Sequence, residues 1–365
     1  MKNDVAPGLA KVLAGFGKNE LGYPLADVAK IVDAGEAGDG RTVEISLGFP
    51  AARYQEKLIA ELTPLFEKEL GESSVKVKIG WRVTTHVVQA NLKPLGQVKN
   101  VIAVASGKGG VGKSTTAVNL ALALAREGAK TGILDADIYG PSLPQMLGLG
   151  GQRPGSTDGK TMQPLQAHGV SAMSIGFLID QEQAMIWRGP MVTQALNQLI
   201  SDTVWGELDY LIVDMPPGTG DTQLTLSQSV PLSGAIIVTT PQDIALLDAR
   251  KGLKMFEKVS VPVLGIVENM STHICSQCGH EEPIFGSGGG RAMAEQYAVP
   301  LLGSLPLDIH IREHVDSGNP TVIADADSPV AARYRAIALR MSVQLAAKRK
   351  DYSHLFPKIS VVDGG

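Results

Sequence analysis

Four groups of residues in this 365-residue chain are spaced for chemistry. The first is Gly107-Lys108-Gly109-Gly110-Val111-Gly112-Lys113-Ser114-Thr115, which fits the phosphate-loop pattern G-x-x-x-x-G-K-[ST]. Its glycines let the backbone curl so that successive N–H groups face one phosphate, and the start of the following helix adds a favourable dipole. Lys113 can reach the β- and γ-phosphates of ATP, and the Ser114 hydroxyl can bind Mg2+. The second group is Asp135-Ala-Asp137, carboxylates able to position a water or hold Mg2+ through water, or to cap a turn. The third is Tyr210-Leu-Ile-Val-Asp214, an apolar strand ending in a carboxylate suited to Mg2+, followed by Pro216 to Gly220. The fourth is Cys275-Ser-Gln-Cys278, the chain's two cysteines, with His273 and His280 on either side. Two thiolates are half of a tetrahedral site. Four readings of the pair stay open: an iron–sulfur cluster or a zinc ion completed by a second copy, a redox dithiol, or inert cysteines.

Positioning these groups requires strands and helices in alternation. Val101 to Ala105 reads as a buried parallel strand before the glycine loop, and a helix continues to Arg126 with Gly128 to end it. Apolar runs at Thr131–Leu134, Val170–Met173, Tyr210–Val213, Gly234–Thr239, Val261–Val267 and Pro300–Leu305 predict further strands. Helices are expected over Pro190–Ile200, Ala245–Val259, Ala292–Tyr297 and Ser328–Lys350. This alternation is the sign of an α/β fold with a mostly parallel sheet flanked by helices, a P-loop NTPase. In such sheets ligands sit beyond the carboxyl ends of the strands, where the loop, Asp135/Asp137 and Asp214 all fall.

Residues 1–90 read as a separate small α+β domain. A helix is expected over Ala10–Phe16, strands over Leu25–Val32, Thr42–Leu47 and Val75–Val83, and a long helix over Ala51–Leu70. Residues 91–99, with Pro94 and Gly96, read as a linker. The ATPase domain is expected over 100–350, and residues 351–365 as a tail.

Composition bounds the rest. The length suggests two domains. A net charge of −4 gives no global pull toward nucleic acid, and 44% apolar with 19% charged residues describes a soluble globular chain. No apolar run approaches the ~20 residues of a membrane span, and the N-terminus lacks a signal-like segment, so a cytoplasmic protein without stable membrane association is expected. A single close cysteine pair is not a disulfide framework.

Several of these motifs resemble a known family. Lys108, not needed to cradle a phosphate within one subunit, resembles the early lysine of the deviant P-loop ATPases, the class of the nitrogenase iron protein, MinD and ParA. The resemblance implies that Lys108 reaches across a dimer to the partner's nucleotide and that Asp137 orients the attacking water. It also implies that Asp214 holds Mg2+, that Pro216–Gly220 is the second switch, and that Asn269 lies near the adenine with the Pro241-Gln-Asp243 turn. Unaided, Asn269 could equally be an ordinary turn residue. G-K-G-G-V-G-K-S-T, D-A-D-I-Y-G-P-S, W-R-G-P-M (Trp187 to Met191), D-M-P-P-G-T-G-D, T-T-P-Q-D and E-N-M-S…C-x-x-C-G…F-G-x-G-G together resemble the Mrp/ApbC family of iron–sulfur cluster carrier ATPases. The match covers roughly residues 100–345, and the N-terminal domain resembles one shared by several iron–sulfur assembly proteins. This implies a slow ATPase that works as a homodimer. It binds a labile cluster, [4Fe–4S] in type, between Cys275 and Cys278 of two subunits, and passes it to apo iron–sulfur proteins with scaffold proteins as further partners. Arg188 could meet a phosphate or a carboxylate bidentately, or serve a structural role. The competing reading is a MinD/ParA-like positioning ATPase acting on a membrane or DNA surface, for which the basic Ser328–Lys350 helix is the one candidate contact.

Overall fold

The computed structural model describes residues 6–37, 40–178, 189–275 and 277–351. Trp187, Arg188 and the tail beyond Asp351 lie outside them.

The centre of the large sheet is built from strands whose side chains are buried on both faces, as parallel strands covered by helices must be, and its two edge strands are only partly buried. The strands are β4 (Val101–Ala105), β5 (Thr131–Asp135), β7 (Val170–Ser174), β8 (Tyr210–Asp214), β9 (Gly234–Thr239), β10 (Val263–Glu268) and β13 (Leu301–Ser304), with the short edge strand β6 (Leu165–Ala167). Their order is β13-β10-β9-β4-β8-β5-β7-β6. Only β6 runs antiparallel to its neighbour. β4 stands where the order reverses, between β8 and β9, so the loop after it opens into the crevice at the switch point. In-register pairing of β5 with β8 puts Asp135 directly beside Asp214.

Ahead of this sheet lies a three-stranded one, β1 (Ala29–Ala37), β2 (Gly40–Leu47) and β3 (Val75–Trp81). The helices Ala6–Gly15 and Tyr54–Leu70 cover it. Leu9, Leu13, Leu58, Leu62 and Phe66 bury against Val43, Ile45, Leu47, Val75 and Val77. The strand expected over Leu25–Val32 is split. Pro24 precedes a helical turn, Leu25–Val28, and β1 begins only at Ala29. Leu25 and Val28 are buried by that turn as fully as a strand would bury them, so an apolar run alone did not distinguish the two.

The stretch from 82 to 99 carries almost no regular structure, yet it is tied to the large sheet. Gln89 donates to the Ser227 and Val230 carbonyls and accepts from Leu232 N–H, and the Lys99 N–H donates to Leu208 O. The last helix, Pro329–Ala346, joins both bodies. Tyr334, Ile337, Ala338, Met341 and Leu345 belong to the large core, whereas Leu339, Val343 and Ala346 belong to the small one. Ser328 caps it by accepting from Ala331 N–H at 3.1 Å, with Pro329 at the first helical position. Arg340 is held by the carbonyls of Glu20 and Leu302, both at 2.9 Å. This helix is packed on both sides and presents no free amphipathic face, which removes the one feature that favoured a surface-binding ATPase. No helix among the described residues is long and apolar enough to cross a membrane.

Candidate functional site

The glycine loop is shaped by close approach and by backbone sign. An added Cβ at Gly107 would fall 2.2 Å from the carbonyl carbon of Asp248, in the helix Asp243–Lys258. Gly112 has φ +79°, and a Cβ there would meet Asn269 Nδ2 at 2.2 Å, so both constraints exclude a side chain. The loop is pinned from two flanks. Asn269 Nδ2 donates to Val111 O at 2.9 Å, and Gly218 N–H donates to Ser106 O at 3.0 Å. The second bond links the loop directly to the segment that follows Asp214. Asn269 is itself fixed by its N–H on Thr239 O, at the end of β9. Its side chain therefore clips the loop. The helix Lys113–Arg126 starts at the lysine, and Thr116 Oγ1 and N–H both bond Gly112 O.

Lys113 is buried, and its ammonium bonds Asp214 Oδ1 at 2.5 Å and Ser114 Oγ at 3.2 Å. The other Asp214 oxygen, Oδ2, is buried without a partner. Beside it, Asp135 is fully buried and bound on both oxygens. Oδ1 accepts from Asp137 N–H at 3.1 Å, and Oδ2 accepts from Ser142 N–H, Leu143 N–H and Ser174 Oγ at 3.0 to 3.2 Å. Burial, and then the neighbouring Asp214 charge, push the Asp135 carboxyl up to about 7. Asp137 is half-buried, and burial raises its carboxyl while the Lys113 charge opposes the rise. Lys113, Ser114, Asp135, Asp137 and Asp214 thus converge at the mouth of the loop, three carboxylates against one buried ammonium. An ownerless carboxylate oxygen beside a hydroxyl, in a site with excess negative charge, suits a divalent cation. Lys108, partly exposed in the same loop, has its carbonyl bonded by Ser106 Oγ at 2.9 Å.

Sequence reasoning valued Asp137 above Asp135. The structure shows that Asp135 organises the segment from Asp137 to Leu143, accepting four hydrogen bonds from it and from Ser174. The signal was available in the ends of two apolar strands, each closing in aspartate. Gln223 was missed altogether. It lies in the helix Asp221–Ser229, just past the Pro216–Gly220 segment, with both amide atoms buried and unpartnered.

The cysteines stand apart, on a small antiparallel ribbon of β11 (His273–Ile274) and β12 (Glu281–Glu282). Cys275 N–H bonds His280 O at 2.9 Å and Gly279 N–H bonds Cys275 O at 2.8 Å, closing a tight knuckle. Cys275 is half-buried and Cys278 exposed, and neither is in a disulfide. Backbone N–H groups of Cys278 and Gln277, aimed at the Cys275 sulfur, lower its thiol from the ordinary value. The ribbon is moored to the body. His273 bridges Leu307, Thr272 Oγ1 bonds Glu281 at 2.5 Å, and Arg333 of the last helix pairs with Glu281 at 3.3 Å. Among the described residues no group of three His, Cys, Asp or Glu side chains is placed to hold a metal ion. His273 and His280 therefore do not complete a chelate around the pair within one subunit. The donors present are two thiols, one half-buried and one exposed, with the Cys275 thiol predisposed to the thiolate.

Comparison with known proteins fits these features. Residues 97–342 match the ParA family model described as NUBPL iron-transfer P-loop NTPase. An iron–sulfur cluster carrier protein of Escherichia coli K12 is 52% identical over 337 residues, covering 92% of this chain and 91% of that protein. One from Pseudomonas fragi is 61% identical over 74% of this chain and 94% of its own length. The mouse iron–sulfur cluster transfer protein NUBPL is 52% identical over 67% of this chain and 77% of its own. Among solved structures, a nucleotide-binding protein of Archaeoglobus fulgidus in complex with ADP superposes with a TM-score of 0.54 at 37% identity, over 61% of this chain and 88% of that one. The cell division ATPase MinD of Pyrococcus furiosus shares the fold, with a TM-score of 0.51 at 24% identity over 66% of this chain and 97% of its own. The chain belongs to the family of iron–sulfur cluster carrier P-loop NTPases.

Proposed function

We propose that this protein is an ATP-hydrolysing carrier that holds a labile [4Fe–4S] cluster between two copies of itself and delivers it to apo iron–sulfur proteins in the cytoplasm. The observation that carries the reading is the exposed ribbon. Its two thiols find no third ligand among the described residues, so a tetrahedral thiolate site there needs a second subunit. In this proposal the backbone of Gly107 to Thr115 cradles the phosphates, and Lys113 leaves Asp214 to meet the β- and γ-oxygens. Ser114 and Asp214 would hold Mg2+, which would neutralise charge on those phosphates. Asp137 orients the water, Lys108 reaches the nucleotide of the other copy, and Asn269, while clipping Val111, borders the purine. Residues 1–90 form the small domain, 91–99 the connection and 100–350 the ATPase.

The support for coupling between the sites is structural continuity. The loop reaches the second switch through Ser106 and Gly218, and Asn269 leads within six residues to Cys275. ATP binding would bias the dimer between two arrangements that differ in exposure of the thiols.

The test is anaerobic reconstitution of the wild type and of Cys275→Ala and Cys278→Ala, with iron, sulfide and zinc counted and transfer to an apoenzyme measured. About four irons and four sulfides per dimer are expected, with little zinc, and either substitution should abolish both binding and transfer. A strictly monomeric metal-loaded protein, or transfer retained in either variant, would overturn the reading.

A further inference from the structure

A cavity of about 500 Å3 opens at the seam between the small sheet and the large domain, away from both the nucleotide loop and the thiol ribbon. Its floor is apolar, formed by Val28, Ala29, Leu47 and Val83. Its rim carries Lys30, Arg82, Lys99 and Lys350 against Asp27 and Asp351. The four cations come from four separate pieces of chain: β1, the residue after β3, the approach to β4 and the stretch that follows the last helix. Lys99 is engaged with Asp209 at 2.7 Å. Lys30 and Arg82 are exposed, and neither has a carboxylate of the described residues within salt-bridge distance. Val32, on the same wall, is 65% exposed, a large apolar side chain left in water. The Thr84 hydroxyl oxygen is buried in the wall and has no hydrogen-bond partner. A buried hydroxyl left without a partner is a group that an occupant can satisfy.

We propose that this groove binds an extended segment of a partner protein in which acidic and apolar residues alternate. The volume is that of a ligand site and accepts a few residues of chain. Apolar side chains would cover the floor and Val32, and carboxylates would meet Lys30, Arg82 and Lys350. A backbone amide would bond the Thr84 oxygen. Cations beside an apolar floor and an exposed Val32 suit a segment carrying both acidic and apolar side chains better than a compact ion, which would leave Val28, Leu47 and Val32 uncovered. Because the walls come from both bodies, the occupant touches the small sheet and the base of the ATPase sheet together. The inference is independent of what the thiols carry.

The experiment uses the full chain and fluorescent octapeptides in which Glu alternates with Val or Leu, read by anisotropy, with Lys-for-Glu peptides as controls. The acidic peptides should bind, more weakly as salt rises. The double variant Lys30→Glu/Arg82→Glu should bind them roughly tenfold less tightly or worse, and Val32→Asp should also weaken them. ATP hydrolysis should be unchanged in both variants, which shows that they fold. Acidic peptides binding no better than their Lys counterparts would overturn the proposal, as would affinity that survives the charge reversal. Full competition by free butyrate would assign the groove to small organic acids instead. Binding that appears only after deletion of residues 352–365 would assign it to the protein's own tail.

Discussion

At the scale of single residues, the nucleotide site is a problem of crowded charge. Asp135 and Asp214 are neighbours across two strands, both buried, with Lys113 as their one buried cation. Removing Lys113 leaves the buried Asp214 carboxylate without its ion-pair partner. Lys113→Ala should therefore abolish ATP binding and also cost the nucleotide-free fold about 3 kcal/mol at neutral pH, seen as an earlier urea midpoint. Asp135 supplies a pH signature. Its carboxyl is raised to about 7, so the folded protein favours the neutral acid. That contribution to stability is complete below the unfolded value of about 4 and is lost as pH rises through about 7. Asp135→Asn should flatten the pH dependence of the unfolding midpoint in that window. Its absolute stability should still fall by about 2 kcal/mol, because an amide nitrogen cannot accept from Ser142, Leu143 and Ser174.

At the scale of elements, the phosphate loop depends on contacts made by parts far away in sequence. Gly107→Ala would drive a methyl into the backbone at Asp248, which cannot yield as a side-chain tip could. It should abolish nucleotide binding in calorimetry while leaving most helical signal intact. Asn269→Ala loses only the clip on Val111, about 1 kcal/mol, and should weaken ATP binding without unfolding the chain. The ribbon is moored differently. The Arg333–Glu281 pair is about a third exposed on each side, so Arg333→Ala should change global stability by less than about 0.5 kcal/mol. Its effect should be local, as faster amide exchange in Cys275 to Glu282.

These elements also show what could be read from sequence. β4, β5, β8 and β9 were legible because continuous apolar runs bounded by Gly, Pro and Asp leave few alternatives to buried parallel strands. The glycine loop was legible because the G-x-x-x-x-G-K-S spacing is specific in itself, and Gly107 and Gly112 each answer a local demand. Leu25–Val28 was not, since two apolar side chains three residues apart, Leu25 and Val28, bury well in a helical turn although the stretch read as the start of a strand. The organising role of Asp135 and the buried, unpartnered amide of Gln223 were hidden as well, because they depend on register between strands and on burial, neither of which a linear pattern records.

At the scale of the molecule, one helix sets how the two bodies meet. Val343 lies in the small core and Tyr334 in the large one, on opposite sides of the same Pro329–Ala346 helix. Val343→Asp should place a charge in the small core alone. Limited proteolysis should then release residues before about 90 while the ATPase body stays protected, and a single cooperative unfolding transition should divide in two.

The same helix dictates an order of events during synthesis. The small sheet is made first, but Leu339, Val343 and Ala346, which close its core, leave the ribosome more than two hundred residues later. Until then the earliest-made body waits with an apolar face uncovered, within reach of chaperones. A premature stop just ahead of Pro329 would therefore be felt first at the opposite terminus.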